Sequence, residues 1–227
     1  MCIRDRGQFV HPNKLLVLLY YYLVKYRGWQ GPCVRNNSTT VLLDRVAAGL
    51  GQNCYEVPVG FKWVSAKMTE TDAIIGGESS GGLAVRGHIS GKDGIYAAAL
   101  LVEMLAVTGK KLSALYREIE AQYGALSYAE ASFTMTPARK PALQQYLFEQ
   151  HACPEFENVD HISREDGCKV YFTDGSWVIC RFSGTEPLLR MAAEQGCSKL
   201  ALGHHREDAE ETLLMSVLYE ARLHTFH

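Results

Sequence analysis

A short polar stretch that begins at Arg181 and ends at Arg190 has the composition of a phosphate-binding loop. Each terminal guanidinium group can bind a phosphate through two N–H donors. Between them, Ser183, Gly184 and Thr185 can direct hydroxyls and backbone N–H groups at the same oxygens. Apolar residues on both sides indicate strands that would hold the loop at the edge of a sheet. A polar hairpin turn with two solvated arginines fits the local chemistry equally well.

A second stretch, residues 76–82, has four glycines in seven positions and follows an apolar run that indicates the end of a buried strand. Glycines let the backbone adopt conformations that side chains forbid, so a ligand can approach closely. Glu78 offers an acceptor, and Ser80 offers both a donor and an acceptor, which suits sugar hydroxyls. The alternative is a flexible turn that carries a solvated glutamate.

Together the two stretches resemble the phosphate-binding and sugar-binding loops of the alpha-D-phosphohexomutase family, which includes phosphoglucomutases and phosphomannomutases. The resemblance extends over roughly residues 8 to 194 and includes further matching segments at 36–40, 59–62, 87–89 and 92–94. It implies that Lys62 and His88 line the sugar-binding cleft. A solvated lysine and a ring that points elsewhere stay open as alternatives for these two residues.

In the family, a phosphoserine donates its phosphoryl group to a hexose phosphate, and the bisphosphorylated sugar turns over and returns the other phosphate. The resemblance therefore implies an isomerase of the phosphoglucomutase/phosphomannomutase type, with hexose phosphate as its partner. Arg181, Ser183, Gly184, Thr185 and Arg190 would hold the phosphate that is not reacting. Glu78 and Ser80 would bind the sugar hydroxyls.

The family's phosphorylated serine and its magnesium-binding aspartate loop have no counterpart in these 227 residues. No Thr-Ala-Ser-His-like segment and no cluster of three aspartates is present. The family implies Mg²⁺, but the sequence predicts no catalytic residue and no metal ligand. We therefore expect a fragment, with the third domain and a truncated fourth domain, that does not turn over alone. A non-catalytic module that binds sugar phosphates is the alternative.

The two ends of the chain do not fit the family. Residues 1–7 are expected to be an artefactual or residual segment, because the first six resemble a translated sequencing adapter. Residues 196–227 resemble a fragment of the PP-loop ATPases that thiolate tRNA. The resemblance rests on a Leu-Gly-His-His sequence at a strand end before Asp208. The Ser-Gly-Gly-x-Asp-Ser loop of those enzymes is absent. Adjacent histidines on a strand point to opposite sides, so His204 and His205 predict no metal site.

Composition excludes several classes of function. The net charge of −2 gives no broad attraction to nucleic acid or membranes, so no nucleic-acid partner is expected for residues 8–195. The seven cysteines are an odd number without metal-type spacing, which favours free thiols and a cytoplasmic location. The apolar run from Leu15 to Val24 is shorter than the roughly 20 residues that span a bilayer.

Alternating helical and strand patterns predict a three-layer α/β/α domain with a mostly parallel sheet, at residues 8–126. Asn13 is the predicted N-cap of the first helix, and Asp93 caps a later one that Gly109 ends. The predicted helices are 14–26, 40–50, 61–67, 94–107 and 113–123, and the predicted strands are 32–35, 55–59 and 73–75.

A linker is predicted at 127–138, followed by a smaller, truncated α+β domain at 139–195 with an antiparallel sheet and then the short strand-helix tail. An Asp-Gly pair, Asp174 and Gly175, predicts a hairpin turn between two of its strands. The predicted elements are a helix at 140–149 and strands at 169–172, 177–182 and 188–193.

Overall fold

The chain divides into two folding units in the computed structural model, Met1–Ala125 and Leu126–His227. The structure describes residues 3–5, 7–135, 139–150, 156–182 and 188–196. The first unit contains a four-stranded sheet and a small two-stranded ribbon, and the second contains a five-stranded sheet.

Helices and strands alternate through most of the first unit. In chain order its elements are β1 (Ile3–Asp5), β2 (Gln8–Val10), α1 (Pro12–Lys25), β3 (Cys33–Asn36), α2 (Leu42–Gly49), β4 (Cys54–Val57), α3 (Phe61–Thr71), β5 (Ile75–Gly77), β6 (Leu83–Val85), α4 (Gly94–Thr108) and α5 (Leu112–Tyr123). The strand order is β4-β3-β5-β6, and β3 runs parallel to both of its neighbours. The mostly parallel sheet predicted from the sequence is confirmed.

Helices cover both faces of this sheet. Two neighbouring residues of β5 show this coverage of both faces, because successive residues of a strand face opposite sides of the sheet. A Cβ on Gly76 would lie 2.7 Å from Val64 of α3, whereas one on Gly77 would lie 2.8 Å from Leu16 of α1. Helices α1 and α3 therefore pack on opposite faces at van der Waals distance, and the unit has the three layers that the sequence predicts.

Helix α1 is buried on nearly all sides because it packs against the sheet as well as α2, α4 and α5. The prediction that Asn13 caps it is wrong. The helix begins at Pro12, and the His11 ring nitrogen Nδ1 accepts the N–H of Asn13 at 3.2 Å. Proline suits the first helical position because it lacks the N–H that would have no partner there. No helix in the described residues is both long and apolar enough to cross a bilayer.

Strand β6 is absent from the sequence prediction. It pairs antiparallel with β5, with Gly77 opposite Leu83 and Ile75 opposite Val85. Two glycines of the predicted loop therefore belong to β5. A strand of three residues is too short to show periodicity, and glycine disfavours strands, so the backbone pairing is not visible in the sequence pattern.

The ends of α4 follow the predicted chemistry. The Asp93 side chain accepts the N–H groups of Ile95 at 2.9 Å and Tyr96 at 3.1 Å, so the predicted N-cap is confirmed. Gly109 ends the helix with a φ of 64°, a left-handed conformation that glycine adopts without steric cost.

The second unit has the antiparallel sheet that the sequence predicts. Its elements are β7 (Ser127–Thr134), α6 (Arg139–Gln144) with a π-helical turn at Gln145–Glu149, β8 (Val159–Ser163), β9 (Cys168–Phe172), β10 (Trp177–Phe182) and β11 (Leu188–Gln195). The strand order is β7-β11-β10-β9-β8. The Asp174-Gly175 turn joins β9 to β10, with a φ of 81° at Gly175.

Two segments outside the predicted elements form strands. Residues 127–134, assigned to a linker, pair along the whole of β11 as β7, and residues 159–163 form β8. Both are edge strands that are mostly exposed or half-buried, so their sequences lack a clear alternation of apolar and polar residues. Residues 3–5, excluded from the fold by the sequence analysis, pair with β2 through backbone bonds that do not depend on side-chain pattern.

The two faces of the second sheet differ in chemistry. One carries an apolar cluster that includes Phe133, Cys180, Leu189 and Leu147 of the π-helical turn. On the other face, the buried Lys169 ammonium lies 4.4 Å and 4.5 Å from the ring centroids of Tyr171 and Trp177. The four cysteines in the described residues are free thiols: Cys33, Cys54, Cys168 and Cys180.

A buried ion cluster joins the sheet of the first unit to α2. Arg35 of β3, which is 4% exposed, donates from Nη1 to Glu56 of β4 at 2.6 Å and pairs with Asp44 of α2. Burial alone would lower the pKa of Arg35, but Asp44 and Glu56 raise it well above its ordinary value. The guanidinium is therefore charged, and its ion pairs with Asp44 and Glu56 link α2 and β4 to β3.

We expect Arg35→Met to lower the free energy of unfolding by about 2 kcal/mol, because both carboxylates lose their cation. Their partial exposure, 37% for Asp44 and 28% for Glu56, keeps the loss below that of a fully buried pair. Urea denaturation measures it. Lys67→Met, which breaks an exposed pair with Glu70 on α3, is the matched control and should change stability by less than about 0.5 kcal/mol. Equal losses in the two variants would contradict this account.

The cap of α4 predicts a dependence on pH. The His88 hydrogen bond, followed by the Tyr96 N–H, lowers the pKa of Asp93 below its ordinary value. The contribution of this carboxylate to stability is therefore present above its unfolded pKa of about 4 and is lost as pH falls through the lower folded pKa. We expect the melting temperatures of the parent chain and Asp93→Asn to differ at pH 6, and the difference to shrink as the pH falls below about 4.

Asp93→Ala separates charge from capping in the same experiment. Asparagine keeps an oxygen that can cap the helix, and alanine does not. The difference between the Asn and Ala variants should therefore stay constant with pH. A difference between the parent chain and Asp93→Asn that is unchanged at pH 3 would show that the charge of Asp93 has no role.

Candidate functional site

A turn of buried polar residues follows β3 at its carboxyl end. The side-chain oxygen of Asn36 accepts the Ser38 N–H at 3.1 Å and the Thr39 hydroxyl at 2.7 Å. Thr40 in turn accepts the N–H of Leu42 at 3.1 Å at the start of α2. These bonds satisfy the polar groups of a segment that is almost fully removed from water. Hydrogen bonds therefore fix the conformation of this turn at the carboxyl end of β3.

Glu78 lies directly after β5 and is 6% exposed. Because β3 and β5 are parallel, their carboxyl ends meet at the same edge, which brings Asn36 and Glu78 together. Glu78 Oε1 accepts the Asn36 amide at 3.1 Å and the Gly60 N–H at 3.2 Å. Its other oxygen, Oε2, pairs with the Lys92 ammonium at 2.8 Å. A buried carboxylate is thus held by donors from three separate segments.

Lys92 belongs to this group, although the sequence analysis did not propose it as a site residue. Its ammonium contacts Glu78, and its stem lies over Gly82, where a Cβ would come within 2.4 Å of Lys92 Cε. Any larger residue at position 82 would require the Lys92 side chain to shift. The Lys92 side chain is 49% exposed, so it faces both Glu78 and solvent. The one sequence signal for a nearby cation was the carboxylate of Glu78 in a glycine-rich loop after an apolar run.

Ser80 lies at the exposed tip of a tight turn that begins at Glu78. The Glu78 N–H donates to the Gly82 carbonyl at 2.9 Å, and the Gly81 N–H donates to the Glu78 carbonyl at 2.9 Å. The Ser79 N–H donates to the Thr39 hydroxyl at 3.0 Å, which fixes the turn to the segment after β3. Ser80 is exposed to solvent, two residues after Glu78.

Lys62 is exposed in the first turn of α3, two residues after Gly60. Its ammonium lies 4.8 Å from the ring centroid of Trp63. Lys62 is close in sequence to the backbone N–H of Gly60 that binds Glu78, and its ammonium contacts the indole of Trp63.

His88 contacts the start of α4. Its Nε2 forms a hydrogen bond of 2.7 Å with Asp93, and its ring stacks on Tyr96 with centroids 4.1 Å apart. Its role in lining the sugar-binding cleft stays a prediction.

The second unit places the two predicted phosphate-binding arginines side by side. Arg181 of β10 and Arg190 of β11 are direct register partners, so their side chains extend from the same face of the sheet. Both are half-buried. Ser183, Gly184 and Thr185 lie outside the described residues, and their role stays a prediction.

The residues that the structure describes do not fit a magnesium site. They contain no group of three or more His, Cys, Asp or Glu side chains that could hold a metal ion. His204, His205 and Asp208 lie outside the described residues.

Two family models match the chain. One is described as phosphoglucomutase/phosphomannomutase, alpha/beta/alpha domain III, and matches residues 11–123. The other is described as phosphoglucomutase/phosphomannomutase, C-terminal domain, and matches residues 110–211. The second match extends beyond residue 195, so the foreign origin of residues 196–227 stays a prediction.

Individual relatives agree with these models. A phosphoglucomutase/phosphomannomutase of Thermococcus kodakarensis is 30% identical over 194 residues, which are 85% of this chain and 40% of that protein. A phosphoglucomutase of Komagataeibacter xylinus is 29% identical over 225 residues, with coverage of 90% and 40%. The chain therefore spans about 40% of the length of these relatives.

Among solved structures, a Thermus thermophilus protein assigned as a phosphomannomutase superimposes with a TM-score of 0.67 at 29% identity. The match covers 84% of this chain and 38% of that chain. The two sheets, the order of the loops and the family models agree on one assignment. The chain belongs to the alpha-D-phosphohexomutase family and corresponds to its C-terminal part.

Proposed function

We propose that this chain supplies the sugar-binding and phosphate-binding part of a phosphohexomutase, an enzyme that interconverts hexose 1-phosphate and hexose 6-phosphate through a bisphosphorylated sugar. The observation that carries the proposal is the buried carboxylate of Glu78, held beside the exposed ammonium of Lys92. The relatives named above are phosphoglucomutases and phosphomannomutases, which act on phosphorylated hexoses.

The hydrogen-bonding capacity of this pair suits a sugar hydroxyl. A carboxylate has about four acceptor positions, and Glu78 uses three of them for Asn36, Gly60 and Lys92. The Lys92 ammonium has three donors and uses one on Glu78. One acceptor and two donors therefore remain, which allows a hydroxyl to donate to Glu78 while a neighbouring oxygen accepts from Lys92. Ser80 adds a further donor and acceptor at the tip of the turn.

The paired arginines suit a phosphate. Two arginines on directly opposite strand residues can contact the same anion. Arg181 and Arg190 lie in this arrangement through their register. Bidentate binding by guanidinium groups gives orientation as well as affinity. The predicted donors Ser183, Gly184 and Thr185 would complete this phosphate site.

We propose that the catalytic groups of the enzyme lie outside these 227 residues. Phosphoryl transfer depends on a positioned nucleophile and on stabilisation of charge in the transition state. We propose that the phosphoserine and the Mg²⁺ site of the family lie in the part of the relatives that this chain does not match. We further infer a cytoplasmic location from the odd number of cysteines without metal-type spacing.

We expect the 227-residue polypeptide to show no turnover of glucose 1-phosphate, because it contains no serine segment of the family's phosphorylated type. A coupled assay that detects glucose 6-phosphate, with glucose 1,6-bisphosphate added as activator, measures it. A full-length phosphoglucomutase in the same assay is the positive control. Turnover that persists through repurification would refute the proposal that the catalytic groups lie outside these residues.

We expect Glu78→Gln to weaken binding of glucose 1-phosphate by about tenfold or more, since a hydrogen bond to a charged group contributes about 1.5–3 kcal/mol. The same variant should bind inorganic phosphate like the parent chain. Arg181→Ala should weaken the binding of both ligands. Isothermal titration calorimetry with each ligand measures these four affinities against those of the parent chain.

Glu70→Gln removes a carboxylate from the exposed surface of α3 and is the matched control, with no expected change for either ligand. If Glu78→Gln binds glucose 1-phosphate as tightly as the control does, Glu78 is not a ligand for the sugar. If Arg181→Ala leaves phosphate affinity unchanged, the arginine pair is only part of a surface strand pair.

A further inference from the structure

A half-exposed tryptophan lies three residues after Gly60, whose backbone binds the carboxylate of the proposed sugar site. Trp63 is 46% exposed, and its backbone N–H donates to the Gly60 carbonyl at 2.9 Å. A Cβ added to Gly60 would be in van der Waals contact with the indole, 3.5 Å from Trp63 Cδ1. The N–H of the same glycine donates to Glu78 at 3.2 Å. Gly60 therefore connects the turn of the helix that carries the indole to the carboxylate.

The core of the first unit does not account for Trp63. Helix α3 packs on the sheet through a cluster that contains Val64, with Phe61 and Met68 at its border, and Trp63 is not a member. Instead, the indole lies beside the Lys62 ammonium, 4.8 Å from the ring centroid. Large aromatic side chains bury about 150–250 Å² when they are covered, so leaving one half-exposed forgoes a substantial stabilisation. An exposed aromatic surface beside convergent polar groups is typical of a ligand site.

We propose that Trp63 is the apolar wall of the sugar site, against which the C–H face of a hexopyranose ring packs while Glu78 and Lys92 bind its hydroxyls. This inference rests on the proposed function. A pyranose ring has hydroxyls around its rim and C–H groups on its faces. A carboxylate-ammonium pair beside an indole matches both kinds of surface. Inorganic phosphate has no C–H face, so Trp63 distinguishes the sugar from the phosphate part of the substrate.

The test compares two substitutions at Trp63 by calorimetry with glucose 1-phosphate as the probe. Trp63→Phe keeps a flat aromatic surface and should bind within about twofold of the parent chain, whereas Trp63→Leu should bind about fivefold more weakly. Both variants should bind inorganic phosphate like the parent chain. The exposed position makes misfolding easy to exclude, because the melting temperatures of the variants should match that of the parent.

Fluorescence gives a second readout that a structural role would not produce. The chain has three tryptophans, at positions 29, 63 and 177. Glucose 1-phosphate should change the emission of the parent chain but not of Trp63→Phe, and inorganic phosphate should change neither. Parent-like affinity in Trp63→Leu, or an emission change that persists in Trp63→Phe, would overturn the role of Trp63.

Glu78→Gln in the same series distinguishes failure of the proposed function from failure of the proposed role of Trp63. If Glu78→Gln weakens binding and Trp63→Leu does not, the proposed function stands and the aromatic wall is wrong. If the parent chain does not bind glucose 1-phosphate at all, both the proposed function of this chain and the wall are refuted.

Discussion

The buried carboxylate of Glu78 is the constraint on which the site depends. Burying a charge is costly unless it is paired and hydrogen-bonded, so its three donors are required by stability as well as by function. Those donors come from the last residue of β3, the turn before α3 and the segment before α4, at Asn36, Gly60 and Lys92. Satisfying one side chain therefore fixes three segments relative to one another at the carboxyl edge of the parallel strands.

The arginines of the two units lie in different surroundings. Arg35 lies between Asp44 and Glu56 and links α2 to the sheet. In the second unit, the register of β10 and β11 places Arg181 and Arg190 next to each other. Two guanidinium groups on one face of a sheet can bind the same anion through several N–H donors. The proposed phosphate-binding role of Arg181 and Arg190 follows from this register.

Local chemistry was sufficient to predict features that depend on neighbours in sequence. The Asp93 cap, the Gly109 stop and the Asp174-Gly175 hairpin all follow from the conformations and bonds of a few consecutive residues. The edge strands β6, β7 and β8 were missed, because one is very short and two are only partly buried, so they lack a periodic pattern. Lys92 and Trp63 were missed for another reason. Their importance comes from proximity to Glu78 and Gly60, which only the folded chain creates.

The glycines of residues 76–82 show why a motif that predicts ligand binding is also a packing motif. Gly76 and Gly77 let α3 and α1 approach opposite faces of β5, and Gly82 lets the stem of Lys92 reach Glu78. These three positions are therefore explained by close packing without any ligand. What remains for the ligand is the carboxylate, the exposed hydroxyl of Ser80 and the surfaces beside them. The same small residues build the layers and bring the charged pair together, so a change at one of them would alter folding and binding together.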